Sequence, residues 1–199
     1  MRFSHTILPF LTVAFLATVP ALARDSADIK AQFDAGVAAY DAGDYPKAFK
    51  LWWDLQFEDV AAMRNVAMML RKGQGTTKDP KKAEEIYERA ADAGLPTAQA
   101  DLADMLLKGE AGPPDLEAAL PLLQAAAAAN HPVAQFELGE LYETGAPPLV
   151  QQNIEVARQL YAASAGHGMK EAGARLAALP PPAPGTVVPA QTAVPTAKP

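Results

Sequence analysis

The sequence predicts an all-α fold, a right-handed α-solenoid of stacked helical hairpins. Three observations support this prediction. One segment recurs every 36 residues, its apolar residues are spaced as on one face of a helix, and glycine or asparagine follows each helical segment. Half of the 199 residues are hydrophobic but only 7% are aromatic, which favours helices that pack closely through small side chains.

Residues 1–23 predict a secretory signal peptide. A positively charged start, Met1-Arg2, precedes an uncharged and mostly apolar run at residues 7–19, and Ala21-Leu22-Ala23 forms a small-residue cleavage site. That run is shorter than the roughly 20 residues that cross a bilayer, which disfavours an uncleaved membrane anchor. We therefore expect cleavage after Ala23, a periplasmic or secreted mature protein, and no stable membrane insertion afterwards. Export without any cysteine favours a bacterial periplasm.

Residues 24–61 predict a first helical hairpin with a tight turn at Gly43. Trp52 occupies the position of a tyrosine in later hairpins, so we expect it in the core. Trp53 is one position further on, where the helix face is more exposed. It is either a contact residue for a partner or packed on N-terminal residues near Ile29.

Residues 62–179 contain the repeat and a C-terminal capping helix. The segments AMRNVAMMLRKG, AQADLADMLLKG and AQFELGELYETG begin 36 residues apart, and each is followed by a second helical segment. Side chains that can cap these second helices are Asp79, Asp115 and Asn153. Residues tolerant of left-handed geometry end the helices at Gly73, Gly94, Gly109, Asn130, Gly145 and Gly168. The core positions that we predict are Val66, Ala90, Leu102, Ala126 and Leu138.

Residues 180–199 form a proline- and alanine-rich segment that cannot continue a helix. We expect a flexible tail, disordered in solution, whose only charged side chain is Lys198. Two interpretations stay open: a solvated terminus, which we favour, and a proline-rich ligand or tether spanning the cell wall.

The repeated segments resemble the Sel-one-like repeat family, a relative of tetratricopeptide repeats. The resemblance covers about residues 62–178, and residues 24–61 are closer to a tetratricopeptide hairpin. The usual Leu-Gly pair of the family is replaced by Val66-Ala67 and Leu102-Ala103, which are size-compatible substitutions in a core. The resemblance implies a scaffold for protein–protein contacts, often in envelope signalling or assembly when exported. It implies no chemistry.

The sequence contains no recognised catalytic or metal-binding pattern. The absence of cysteine excludes disulfides, cysteine-bound zinc and thiol catalysis. A net charge of -6 disfavours nucleic acid as a partner. The histidines beyond the signal peptide, His131 and His167, lie beside predicted helix ends, and neither Ser26 nor Ser164 begins a Ser-x-x-Lys motif. We therefore expect no enzyme, no cofactor and no metal.

A partner is expected in the concave groove that the first helix of each hairpin lines. The second unit of this groove would be basic and the fourth acidic, with Glu137 adding to the acidic end, and apolar side chains would anchor a peptide or helix. The candidate partner-binding residues are Asp34, Asp41, Arg64, Met68, Arg71, Lys72, Asp104, Leu107, Phe136, Glu140 and Glu143, with Trp53 outside the groove.

Three classes of function follow from these features. The leading hypothesis is a monomeric adaptor or regulator in the cell envelope that binds another envelope protein or a peptide. The alternative is an envelope enzyme or ligand-binding protein that acts on cell-wall fragments or β-lactams. Some cysteine-rich members of the family that the repeats resemble are described as β-lactam-binding, but this sequence lacks cysteine. A structural spacer between membrane and wall is a third hypothesis, which depends only on the tail.

Overall fold

The structure, a computed structural model, describes residues 24–181, and in that range it is built from α-helices. The predicted signal peptide, residues 1–23, and the predicted tail beyond residue 181 lie outside the described residues. The helices are α1 Ser26–Asp41, α2 Tyr45–Trp53, α3 Val60–Lys72, α4 Pro80–Asp92, α5 Pro96–Lys108, α6 Leu116–Ala128, α7 Pro132–Thr144, α8 Ile154–Gly166 and α9 Lys170–Ala178.

Each helix packs mainly against the helices before and after it in the chain. Helices α1 to α8 form four hairpins, and α9, the last helix of the described range, packs on α8. The extended pairing in residues 24–181 is limited to one isolated antiparallel bridge, between Ala146 and Val150 in the α7–α8 loop. The predicted all-α solenoid is confirmed.

The predicted N-caps explain where the second helices begin. Asp79, Asp115 and Asn153 accept hydrogen bonds from backbone N–H groups three residues on, at 3.0, 2.9 and 3.1 Å. Asp59 does the same for Ala62, at 2.6 Å, so α3 begins two residues before the predicted start of the repeat.

The predicted helix stops have the left-handed geometry that they require. Asn130 has a φ of 64°, and Gly94 and Gly168 have φ values of 82° and 91°. These three residues follow the second helix of successive hairpins, so the turn that leads to the next hairpin is similar in each repeat.

The core is continuous along the solenoid because neighbouring units share helices. One apolar group joins α1 to α5, a second joins α5 to α8, and a third joins α7 to α9. All five predicted core positions are buried: Val66, Ala90, Leu102, Ala126 and Leu138. Trp52 is also buried, as predicted, with 2% of its surface exposed.

Two glycines let an aromatic ring approach the neighbouring helix. A Cβ at Gly36 would lie 2.4 Å from Nε1 of Trp52, and a Cβ at Gly139 would lie 2.7 Å from Cε1 of Tyr161. The Leu-Gly pair at residues 138–139 therefore has a packing cause, since the backbone of α7 makes room for a buried tyrosine of α8.

Truncation of Leu138 tests this packing. We expect Leu138→Ala to lower the free energy of unfolding by about 2–5 kcal/mol, because the deletion leaves a cavity between helices. Leu149→Ala, at a residue 45% exposed, should change it by about 0.5 kcal/mol or less. Denaturant unfolding followed by circular dichroism measures both, and equal effects would contradict the assigned register.

Candidate functional site

A groove on the side of α5, α7 and α9 is the candidate site. It encloses about 490 Å³ and combines apolar with charged side chains. Its lining residues are Asp104, Leu107, Lys108, Val133, Phe136, Glu137, Glu140, Leu141, Glu143, Thr144, Met169 and Arg175. We call this set the α5–α7–α9 groove.

The groove brings together five of the predicted partner-binding residues: Asp104, Leu107, Phe136, Glu140 and Glu143. Leu107 and Phe136 are half-buried, and the ring of Phe136 packs on Tyr161 with the centroids 5.6 Å apart. These two side chains give the groove an apolar floor next to its carboxylates.

The remaining predicted residues lie elsewhere. Asp34 and Asp41 are exposed on α1, and the carboxylate of Asp34 pairs with Lys30 of the same helix. Lys72 is exposed at the end of α3. Met68 is half-buried against the core of the first units, so it anchors the helix rather than offering a free apolar contact.

The expectation of a free basic surface on the second unit is wrong for Arg64 and Arg71. Nε of Arg64 lies 2.6 Å from Asp101 on α5, and Nε of Arg71 lies 2.8 Å from Glu110 in the following loop. Arg71 also donates to Asp104 at 2.6 Å, and only 14% of its side chain is exposed. These inter-repeat ion pairs hold α3 against the next unit, so neither guanidinium group is an unpaired charge on the surface of the second unit.

The same pairs shift the titration of the acids involved. Burial alone would raise the pKa of Asp104, but hydrogen bonds from Lys108 and Arg71 outweigh it and lower that pKa. The hydrogen bond from Arg71 lowers the pKa of Glu110 as well. Both carboxylates therefore favour the folded state when they are charged.

The capping helix closes the other side of the groove with a further ion pair. Arg175 of α9 donates to Glu140 at 2.9 Å and lies 3.7 Å from Glu143, both on α7. Glu143 also accepts a hydrogen bond of 2.6 Å from the hydroxyl of Tyr161. The acidic end predicted for the groove is thus partly neutralised by α9.

Glu137 is the exception among these carboxylates. Its Oε2 is buried and has no hydrogen-bond partner in the described part of the chain. Burial, reinforced by the nearby Asp104, raises the pKa of Glu137 to about 7. The sequence indicated this residue only as one more negative charge at the acidic end of the groove.

Trp53 is 39% exposed on α2, away from the groove, and packs on Phe49 with ring centroids 5.4 Å apart. Phe57, in the turn that follows, is 77% exposed and has the guanidinium carbon of Arg89 at 4.9 Å from its ring centroid. Sequence reasoning missed Phe57, because it lies in a turn outside the helical pattern.

The histidines and the described serines have structural positions. Nδ1 of His131 accepts from the N–H of Ala134 at 3.4 Å and caps α7, and burial lowers its pKa. Ser164 is buried and donates to the carbonyl of Pro132 at 2.8 Å. His167 and Ser26 lie at an exposed helix end and helix start.

Residues 24–181 contain neither a metal-binding cluster nor a membrane-spanning helix. No three His, Cys, Asp or Glu side chains in this range are grouped so as to hold a metal ion. No helix in this range is long and apolar enough to cross a membrane.

Removal of Arg71 tests the inter-repeat ion pairs. Arg71→Met should lower the free energy of unfolding by about 1–3 kcal/mol near neutral pH. The variant leaves Glu110 without its cation, and Asp104 keeps only its pair with Lys108. Both acids have lowered pKa values in the folded state, so the stability they contribute is present above their ordinary pKa values.

That contribution is lost as the pH falls through the folded pKa values, so the difference between Arg71→Met and the unsubstituted chain should shrink in acid. Lys72→Met is the matched control and should change stability by about 0.5 kcal/mol or less. Urea titrations at several pH values measure both variants. A cost as small for Arg71 as for Lys72 would contradict the pairing.

Glu137→Gln tests the unpaired carboxylate. The folded pKa of about 7 lies above the ordinary 4.5, so the folded chain holds the proton over an interval in which the unfolded chain releases it. The free energy of unfolding of the unsubstituted chain should therefore fall as the pH rises from about 4.5 to about 7. The variant has no carboxyl at this position. Its free energy of unfolding, relative to that of the unsubstituted chain, should therefore rise by about 1–3 kcal/mol over the same interval.

The groups that face Glu137 are Asp101, Asp104 and Lys108 on α5 and Glu140 on α7, and they are the same in both proteins. Glu117→Gln, on the exposed surface of α6, controls for the loss of one negative charge. An advantage of Glu137→Gln that does not change with pH would argue against the raised pKa.

Comparison with known proteins gives one family. The model of the Sel1 repeat matches residues 60–95, 96–131 and 132–169, which together are more than half of the chain. No curated protein matches the chain.

Several solved structures share the fold. A Sel1 repeat protein from Oxalobacter formigenes is 34% identical, with a TM-score of 0.67, over 72% of this chain and 58% of that one. The protein c5321, a protective antigen of uropathogenic Escherichia coli strains with an SLR fold, is 26% identical, with a TM-score of 0.69, over 75% of this chain and 33% of that one. The immunity protein Pa5087 from Pseudomonas aeruginosa is 22% identical, with a TM-score of 0.57, over 79% of this chain and 60% of that one, and it shows the fold alone.

The chain thus spans less than two thirds of the length of these solved proteins. The three matched segments coincide with the helical pairs α3–α4, α5–α6 and α7–α8, which share the 36-residue period of the sequence. The resemblance noted in the sequence is confirmed, and the chain belongs to the Sel1 repeat family.

Proposed function

We propose that this chain is an exported adaptor or regulator of the bacterial cell envelope that holds a segment of another envelope protein in the α5–α7–α9 groove. Sel1 repeats are protein–protein interaction modules and generally non-catalytic scaffolds, which supports the coarser part of this proposal. The apolar run and the Ala21-Leu22-Ala23 site support export. We further propose that the chain acts as a monomer with one partner.

The observation that carries the proposal is the composition of the groove. Leu107 and Phe136 are partly exposed apolar side chains in a recess of about 490 Å³, and charged side chains surround them. Apolar anchors within a polar rim are the usual arrangement of a protein-binding surface. A short peptide segment or the side chains of one helix face would fit the volume.

The buried Ser164 and the capping role of His131 give no support to the alternative, an envelope enzyme or ligand-binding protein for wall fragments or β-lactams. Reproducible turnover of wall fragments or β-lactams by the purified chain would reverse this ranking. The aromatic surface around Trp53 and Phe57 is a second place where a partner could dock, and the experiment below separates it from the groove.

Site-specific photocrosslinking in cells that produce the full chain tests the proposal. A photoreactive residue in place of Leu107 should capture a partner protein, because this position lies in the groove. The same residue in place of Ala125, exposed on α6, should not. Export with cleavage after Ala23 would give a crosslinked chain that begins at Arg24, as shown by its mass.

Crosslinks from position 53 without any from position 107 would move the binding surface to the aromatic residues of α2. Full-length chains retained in the cytoplasm would contradict the proposed location. Crosslinks at Ala125 equal to those at Leu107 would mean that the capture is unspecific.

A further inference from the structure

The contact between α5 and α7 lacks an ion pair that the preceding contact contains. Arg64, the fifth residue of α3, pairs with Asp101, the sixth residue of α5, at 2.6 Å. One repeat later these two positions are Ala100 and Glu137. The acid is kept in the repeat, but the arginine that would neutralise it is replaced by alanine.

Glu137 consequently lacks the partner that its equivalent has. Its Oε2 is buried without a hydrogen bond, whereas Asp101 accepts from Arg64. The two cations of the groove are already paired with other acids, Lys108 with Asp104 at 2.7 Å and Arg175 with Glu140 at 2.9 Å.

Glu137 lines the α5–α7–α9 groove, so a group that enters from solvent can approach its carboxylate. The lining carries four carboxylates and two cations, and Glu137 is the carboxylate whose buried oxygen has no partner, so a positive ligand would find an acceptor there. The apolar side chains of Leu107 and Phe136 lie in the same recess, where the methylene stem of a long cationic side chain would pack.

We infer that the occupant of the groove is a protein segment that carries an arginine or lysine between apolar residues, and that its cation pairs with Glu137. This inference rests on the proposed function, because it names the chemistry of the segment that the groove would bind. Arginine is favoured over lysine, since its planar guanidinium can donate two parallel hydrogen bonds to one carboxylate.

The energetic argument concerns the charge on Glu137. A buried carboxylate without a partner is costly to ionise, and the raised pKa of Glu137 reflects that cost. A cation from the partner removes the cost and gains a charge-assisted hydrogen bond. An acidic segment would offer Glu137 no such partner and would leave its carboxylate as costly to ionise as before.

Selection from a phage-displayed random peptide library on the purified full chain provides the probes. We expect the selected peptides to carry arginine or lysine flanked by apolar residues and to compete with one another for the groove. Their binding should weaken at least tenfold in Phe136→Ala, which removes an apolar wall of the groove. A parallel selection on Glu137→Gln should keep the apolar preference and lose the basic one.

The strongest peptide and its citrulline analogue give the decisive comparison, since citrulline keeps the shape of arginine without its charge. On the unsubstituted chain the arginine peptide should bind at least tenfold more tightly than the citrulline peptide. On Glu137→Gln the two should bind within about twofold of each other. Glu117→Gln, on α6 outside the groove, should retain the tenfold preference.

A pH titration adds a readout that simple loss of shape would not give. The affinity of the unsubstituted chain for the arginine peptide should rise between about pH 6 and pH 8, because a larger fraction of Glu137 is ionised at the higher pH. The affinity of Glu137→Gln for the same peptide should not change over this range. Removal of residues 182–199 should leave the affinity unchanged. A several-fold increase would instead assign the groove to the tail of the chain, where Lys198 is the only cation.

The two ways of failing are distinguishable. Peptides that depend on Phe136 but carry no basic residue, or that bind Glu137→Gln as well as they bind the unsubstituted chain, would overturn this inference and leave the proposed groove intact. Selection of peptides that are all insensitive to Phe136→Ala, or failure to select any, would overturn the groove as a binding site and this inference with it.

Discussion

Close approach between helices through buried alanine and glycine is the constraint on which the rest of this structure depends. Alanines at the helix contacts have no exposed surface, and at Gly36 and Gly139 there is no room even for a Cβ next to an aromatic ring. Helices held this close share their core with both neighbours, so no unit completes its core alone. The small residues also make room in the core for large side chains such as Trp52 and Tyr161, which lie against the glycines of the neighbouring helix.

The fold could be predicted almost completely from sequence because its determinants are local and repeated. Residue type and position within one unit are enough to predict a helix cap such as Asp79, a helix stop such as Asn130 and the burial of Leu138. The start of α3 was missed by two residues because Asp59, its cap, lies outside the alignment of the three segments.

The candidate site was predicted less well, since it depends on residues that meet only when units stack. In the sequence Arg64 and Arg71 indicated a basic surface, because no acid lies near them on their own helix face. Their partners, Asp101 and Glu110, are 37 and 39 residues further along the chain, in the next helix and the loop after it. Arg175 comes from the C-terminal helix, which was predicted to cap the last apolar face but not to contribute a charge to the groove. A comparison of charged residues one repeat apart would have found the pairing of Arg64 and the isolation of Glu137.

The interruption of the inter-repeat ion pairs also has a mechanical consequence. Charged pairs clamp α3 to α5 and α7 to α9, and each of them has a narrow range of distances over which it is favourable. Contacts between α5 and α7 are mostly apolar in the second core group, and their energy changes gradually as surfaces separate. Between α5 and α7, therefore, no ion pair limits small changes in the separation of the two helices, as the pairs of Arg64 and Arg71 do between α3 and α5. A change in the width of the groove between these two helices would leave the charged pairs on either side of it intact.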